Sequence, residues 1–444
     1  MDRQDLTKGP VFSTMSLFAL PMICGNILQQ GYNIVDTWVV GHMIGPDALA
    51  AVGAAFALMT FLTSILLGLC MGSGTVFSLC FGRQDKEGLK DSVCASFLLL
   101  FFVTALLTAG ALLSVDALMI FLNIPRQITA ITREYLVLVF WGIPAVALYN
   151  FFAAYLKAVG NSMLPLVFLG ISTISNIGLD LLFVAVFRQG TCGAAAATVL
   201  SQYLAALGIG CYVLAREEEL RGAFAAFSFR KQSLAQIASY SVLTCMQQSV
   251  MNLGILMVQG LVNSFGTAVM AAFAAAVKIE AFTYMPAQEY ANAFSTFIAQ
   301  NIGAGKMERA QKGIRCAGKT VAFYCLAASL AIWLCAGSLM RIFIDSAQTE
   351  ILAEGVRYLR IVGPFYCGIG CLFLFYGFFR AAGRPAVSVV LTVISLGTRV
   401  VLAYLLSSRN MLGVIGIWWA IPIGWGLADL AGAVYYKQMK KPEQ

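Results

Sequence analysis

The sequence predicts an all-α polytopic membrane protein, with twelve transmembrane helices in two six-helix lobes related by a pseudo-twofold axis along the membrane normal. Three observations lead there. The 444-residue chain is 60% hydrophobic and only 11% charged, with mean hydropathy +0.82, whereas soluble domains hold about 25% charged residues. Apolar runs long enough to cross a bilayer recur twelve times along it. The second half repeats the first at a nearly constant offset.

In chain order the predicted spans are 14–40, 48–78, 92–114, 135–156, 163–187, 191–214, 234–262, 268–299, 314–340, 356–379, 385–406 and 411–436. The polar start, Met1 to Pro10, followed by a full-length apolar run, does not read as a cleavable signal peptide. Pro21, Pro144, Pro286, Pro364 and Pro422 fall inside spans, and are expected to kink them where neighbours re-satisfy the freed carbonyls. Gly68-x-x-x-Gly72 and the small run Gly193–Ala197 read as points of close helix approach. Arg216 to Ser233 is the longest polar stretch. It divides the chain into an N-terminal lobe (1–215), a linker (216–233) and a C-terminal lobe (234–444).

Orientation follows from Lys and Arg counts. With the N-terminus inside, twenty of the 29 basic residues fall in inner segments and seven in outer ones, while Lys278 and Arg399 are intramembrane. Both termini are therefore expected in the cytoplasm, and the basic loops are topology signals rather than nucleic-acid patches. Gly45–Gly53 aligns with Gly266–Ala274 at an offset of 221, and Gly82 with Gly303; Tyr135-Leu136 aligns with Tyr358-Leu359 at 223. Lys157–Asn161 falls on Arg380–Arg384 and Gly193 on Gly416, again at 223. Six spans per unit make the repeats parallel. Two such lobes facing a central cleft are the architecture of an alternating-access carrier.

The polar residues single out the first lobe. Gln29, Tyr32, Asn33 and Asp36 recur at helical spacing on one face of span one. Asn176 and Asp180 stack on span five, Thr198 and Gln202 on span six. At 1.5 Å per residue, Asp36, Asp180 and Thr198 lie roughly 8–11 Å below the outer boundary. Two carboxylates, an amide and a hydroxyl at one depth suit Na⁺ as hard ligands, or a proton shared between like charges; the spacing fits either. A buried carboxylate costs about 2.5–3.5 kcal/mol on insertion scales and usually marks an ion or substrate path. The repeat mates of Asp36, Asn176, Asp180 and Thr198 are Met257, Arg399, Ala403 and Ile421, so the acidic set is not a shared structural need. In the second lobe Lys278, Glu280, Glu289 and Arg399 balance in charge. They read as structural, with Arg399 the expected partner of Glu280. Gln29, Tyr32, Asn33, Asn150, Gln202, Met257, Phe282 and Tyr284 are the substrate-cleft candidates.

Other chemistries find little support. The twelve cysteines are scattered through apolar segments without a C-x-x-C pair and behave as small hydrophobes. His42 is the only histidine, and no nucleophile stands near it with triad spacing, so no enzyme activity is expected. Gly303-Ala-Gly-Lys306 lacks the phosphate-loop spacing, because Gln300 stands where its first glycine belongs. ATP and other cofactors are therefore not implied, and the coupling ion is H⁺ or Na⁺.

Gly9-Pro10, Pro21, Gln29-Gln30-x-Tyr32-Asn33-x-x-Asp36, Gly41, Gly45 and Ala48–Gly53 resemble the first-span signature of multidrug and toxic compound extrusion (MATE) transporters. Lys157–Asn161, Asn176-x-x-x-Asp180 and Gly193–Thr198 are similar to the pattern of that family's fourth to sixth spans. The resemblance covers essentially the whole chain. It implies a monomeric, multi-pass protein of a prokaryotic plasma membrane that exports organic, often cationic, compounds in exchange for H⁺ or Na⁺. It also implies a cation site at Asp36, Asn176, Asp180 and Thr198, linked to bending of span one. Span seven carries Gln247, Gln248, Asn252 and Gln259, and span ten has no acid, which looks closer to the DinF-type branch. A lipid-linked oligosaccharide flippase shares the wider fold, but would need a more cationic cleft.

Overall fold

The computed structural model describes residues 3–121, 124–226, 230–408 and 411–440. Arg409 and Lys441, used in the charge count, lie outside these described residues, as do linker positions 227–229. Among the described residues twelve helical segments are long and apolar enough to cross a membrane. The chain packs as two compact units, Met1–Leu6 with Leu20–Cys245 and Thr7–Ala19 with Met246–Gln444.

In chain order the helices are α1 (Val11–Met43), α2 (Pro46–Gly82), α3 (Lys86–Leu113), a short α4 (Val115–Phe121), α5 (Thr129–Phe140), α6 (Ile143–Ala158), α7 (Met163–Asp180) and α8 (Gly190–Arg216). There follow α9 (Glu218–Ala226), α10 (Lys231–Asn263), α11 (Thr267–Gly303), α12 (Met307–Met340), α13 (Thr349–Val362), α14 (Tyr366–Ala381), α15 (Pro385–Leu406) and α16 (Val414–Lys440). Spans four and ten are each built from two helices, α5 with α6 and α13 with α14. Local chemistry sets several starts. Proline opens α2 and α15 at the first helical turn, where its missing N–H is no loss. Asp85 caps α3 by accepting from the Gly88 N–H at 2.8 Å.

The repeat is visible in the backbone. Gly45 and Gly266, Gly160 and Gly383, and Gly190 and Gly413 all hold positive φ at repeat-related positions, a region closed to most side chains. The interior prolines divide into two groups. Pro21, Pro286 and Pro422 sit within continuous helices, whereas Pro144 and Pro364 fall at the breaks inside spans four and ten.

In the first unit, α2 and α10 touch backbone to backbone at the predicted glycines. A Cβ on Gly68 would lie 2.5 Å from the Cys245 Cα, and one on Gly72 would lie 2.5 Å from the Tyr240 carbonyl oxygen. Ser73, Ser96 and Ser241 join in a buried hydroxyl chain at the same level, with contacts of 2.9 and 2.7 Å. The polar linker is not structureless. Helix α9 buries Leu220 and Ala223, the Cys94 thiol donates to the Ala223 carbonyl at 3.0 Å, and Phe224 meets Phe97 edge-on. The N-terminal residues fold onto this same end, where Leu6 is fully buried and Gln4 N–H donates to the Gly160 carbonyl at 3.0 Å. In the second unit, Lys306 and Arg309 donate to the carbonyls of Thr7, Lys8 and Gly9.

Candidate functional site

Three helices of the first unit converge on one polar cluster. Tyr32 and Asp36 are one turn apart on α1, so both face the same neighbours. The Tyr32 hydroxyl lies 3.3 Å from the Thr198 hydroxyl on α8. The Asn176 amide on α7 approaches the same Thr198 oxygen at 3.5 Å. Asp180 is the last α-helical residue of α7, and the span continues as a π turn from Leu181 to Val186, with the Phe187 N–H reaching back five residues to Leu182 at 2.9 Å. Such π turns interrupt the regular ladder and recur at functional sites.

The carboxyls of Asp36 and Asp180 are within hydrogen-bonding reach of each other. Asp180 is fully buried and Asn176 nearly so. One Asp36 oxygen, both Asp180 oxygens, the Asn176 carbonyl oxygen and the Gln202 carbonyl oxygen find no hydrogen-bond partner. These are all acceptors. A buried acceptor without a donor is costly, and a pair of facing carboxyls needs a positive charge between them. A proton or a small hard cation supplies what this set lacks, and the oxygen-only donors fit Na⁺.

The remaining first-lobe candidates are placed less tightly. Gln29 is exposed and Asn33 half-buried on α1, and the Asn150 amide donates to the Val146 carbonyl at 2.8 Å within its own helix. Gln202 lies over the break in span four, where a Cβ on Gly142 would sit 2.6 Å from its side-chain oxygen. In the second unit, Met257 and Phe282 are a little under half exposed, and Tyr284 packs against Phe373 with ring centroids 6.1 Å apart. Glu280 forms no direct salt bridge with Arg399, the partner the sequence suggests, although the guanidinium lies within electrostatic reach of its carboxylate. Its carboxylate instead accepts from the Tyr358 hydroxyl at 2.6 Å, and the Arg399 Nε is left without a partner. Lys278, two residues from Glu280, makes no ion pair with it among the described residues, as helical geometry requires.

Against this geometry the likenesses to known proteins are specific. The MatE family model matches residues 21–182 and again 242–405, so the two matched stretches begin and end at the offsets of the internal repeat. The chain belongs to the MATE family. Over 98% of its length this MATE protein is 29% identical to the probable multidrug resistance protein YpnP of Bacillus subtilis, covering 97% of that relative. It is 25% identical to the probable multidrug resistance protein NorM of Thermotoga maritima, over 90% of this chain and 86% of that one. Its fold superimposes with a TM-score of 0.91 on the outward-facing conformation of a multidrug resistance MATE family transporter, at 23% identity over 99% and 98% of the two chains.

Two residues of this MATE chain were not among the sequence candidates. Tyr135 on α5 is buried within electrostatic reach of Tyr32, Asp36 and Asp180. Its repeat mate is Tyr358, the donor to Glu280, so both units set a tyrosine from span four or ten beside a buried acid. That pairing was available from the repeat. The second is Asp429 on α16, which breaks the expected balance of two bases and two acids in the second lobe.

Proposed function

We propose that this protein is a secondary active antiporter that exports organic, often cationic, compounds in exchange for H⁺ or Na⁺. Family membership and relatives named as multidrug resistance proteins support the transport class. The single observation that carries the coupling is the set of orphaned oxygens on Asp36, Asn176 and Asp180. Asp36 and Asp180 exchange the ion, Thr198 and Asn176 frame it, and Tyr32 ties α1 to Thr198. With the pair ionised, the protein favours a cationic substrate and can face either side. Ion binding from outside neutralises the pair, bends α1 near Pro21 and weakens the substrate site, and the return carries the ion in. One net charge moved across the membrane yields about 2.3 kcal/mol per 100 mV, enough for a roughly fiftyfold gradient. The protein works as a monomer in a prokaryotic plasma membrane with both termini cytoplasmic, and uses no ATP. The relatives' names give the flippase reading no support.

The test is ethidium efflux from cells or uptake into everted vesicles, driven at fixed membrane potential by either a pH or a Na⁺ gradient. Native protein responds to one of the two gradients, and Asp36→Asn, inserted at native levels, loses that response. Native rates in Asp36→Asn would remove the proposed coupling.

A further inference from the structure

In the second unit a cluster on α11, α13 and α15 stands at the repeat-related place of the acidic set in the first. Arg399 and Tyr358 are the repeat mates of Asn176 and Tyr135, while the mates of Asp36 and Asp180 are the apolar Met257 and Ala403. The helix crossing beside them recurs in both units. In the first, the Ser172 hydroxyl donates to the Ser201 carbonyl at 2.9 Å. At their mates, Gly424 lets α16 close onto the Ser395 carbonyl and the Arg399 Cβ. The charges differ. The acid here is Glu280, brought in from α11, where the repeat mate is Met59. It is buried, accepts from the Tyr358 hydroxyl at 2.6 Å, and has the Arg399 guanidinium within electrostatic reach. Tyr284 on its own helix and Tyr366 on α14 lie within the same reach, and both are phenols that are neutral at about pH 7.

We propose that Arg399 is a tethered counter-ion. It holds in the second lobe the positive charge that H⁺ or Na⁺ brings to the first, and so confines ion coupling to Asp36 and Asp180; this rests on the ion-coupled reading of the first-lobe set. Two points select charge, not hydrogen bonding, as what Arg399 supplies. Its Nε is buried without an acceptor, and a residue kept for its hydrogen bonds would not leave a donor idle. Glu280 takes its hydrogen bond from Tyr358 and not from the guanidinium. An ionised carboxylate inside a membrane span is costly without a positive charge nearby, and a guanidinium stays charged at every accessible pH. With that charge fixed in the chain, Glu280 has no need of a mobile cation. Lys278 does not serve instead, because a separation of two residues on α11 turns it away from Glu280.

The test removes the tethered charge from Asp36→Asn/Asp180→Asn protein in lipid nanodiscs, where the first-lobe site is silenced. Adding Arg399→Asn should raise binding of radiolabelled Na⁺ at least tenfold at alkaline pH or, in Na⁺-free buffer, add an infrared band of a protonated carboxyl on acidification. Either gain should vanish when Glu280→Gln is included, and should not arise in Arg399→Lys, which keeps the charge. Arg399→Asn alone should also lower the melting temperature more at alkaline than at acid pH, because an unpaired buried acid folds best when protonated. Glu280→Gln should restore that loss, so a poorly folding variant still reports on the pair. Ion binding that persists before Arg399 is changed counts against the first-lobe coupling and is read separately. No gain in Arg399→Asn, or a gain that survives Glu280→Gln, overturns the counter-ion role, as does a melting temperature that Glu280→Gln does not restore.

Discussion

The Asp36 carboxyl on α1 meets the Asp180 carboxyl at the end of α7, and among the described residues no base pairs with either. Two like charges brought this close in a partly buried site repel strongly, so the pair acts as one acceptor of one positive charge. Groups that act as a unit lose function non-additively. Asp36→Asn and Asp180→Asn should each cut ion-driven efflux at least tenfold, and the double variant should fall less than twofold further. Efflux rates normalised to inserted protein measure this. Losses that multiply across the double variant would show two independent sites.

The Tyr32 and Asn176 contacts to the Thr198 hydroxyl are long, at 3.3 and 3.5 Å, so each belongs at the low end of the roughly 0.5–1.5 kcal/mol that a hydrogen bond contributes. Tyr32→Phe should therefore leave the melting temperature nearly unchanged. Its effect should appear in transport, as a weaker response to the coupling ion. Thr198→Val removes the shared oxygen and should reproduce that phenotype, and adding Tyr32→Phe to it should change little. A double-mutant cycle on ion-dependent efflux reads the coupling between the two.

Gly142 marks the break in span four and leaves room for Gln202. A Cβ there would sit 2.6 Å from the Gln202 Oε1, the far end of a flexible side chain, and 3.0 Å from the Val139 carbonyl, a tight contact with backbone. Gly142→Ala should destabilise the protein by about 1–3 kcal/mol, as overpacking does. Shortening the neighbour in Gly142→Ala/Gln202→Ala should restore part of that loss. Thermal unfolding in detergent separates the two variants. An equal Tm for both would mean that the Val139 carbonyl, not Gln202, sets the strain.

Much of this was readable from residue order alone. Twelve apolar runs fix the spans, because a backbone in hydrocarbon must satisfy its own polar groups and so folds as helix. Asp36, Asn176, Asp180 and Thr198 were legible because a polar residue in an apolar run stands out, and helical spacing sets its face. Partners across helices were not legible. Glu280 has Arg399 within electrostatic reach, as charge suggests, but its direct partner is Tyr358 at 2.6 Å, and no spacing rule joins α11 to α13. The docking of α9 was hidden because Glu218, Glu219 and Arg221 make the segment polar, while among the described residues its fully buried side chains are Leu220 and Ala223. The π turn after Asp180 has no sequence signature at all.

The glycine pair on α2 gives a sharper packing test. Gly72 faces Tyr240 and Ser241 with their backbone atoms 2.5 to 2.7 Å from an added Cβ, and Gly68 faces Cys245 and Thr244 similarly. Backbone cannot rotate aside as a side chain can, so Gly72→Ala must push α10 away and break the Ser73–Ser241 hydroxyl contact with it. Gly72→Ala and Gly68→Ala should each lower Tm by more than Gly110→Ala, where an added Cβ meets open space. Similar melting temperatures for all three would contradict the close approach.

Glu219 supplies a pH test at the end of the first unit where the N-terminal residues dock. Burial alone would raise its pKa, but its own backbone N–H, Arg3 and Lys86 together hold it below the ordinary 4.5. Arg3 lies 3.9 Å and Lys86 3.5 Å from its carboxylate, and Arg3 also pairs with Glu217. A depressed carboxyl contributes stability that is complete above its unfolded pKa and is lost as pH falls through the folded one. Native protein should therefore be more stable than Glu219→Gln at pH 7, with the difference shrinking below about pH 4.5 and vanishing at lower pH. Because these pairs are partly exposed, added salt should narrow the gap at neutral pH as well. Hydrogen exchange over residues 3–6 provides a local readout, since release of Arg3 should unprotect the Gln4 amide bonded to Gly160. A gap that widens on acidification would mean that the Arg3 and Lys86 contacts do not hold Glu219 in the folded protein.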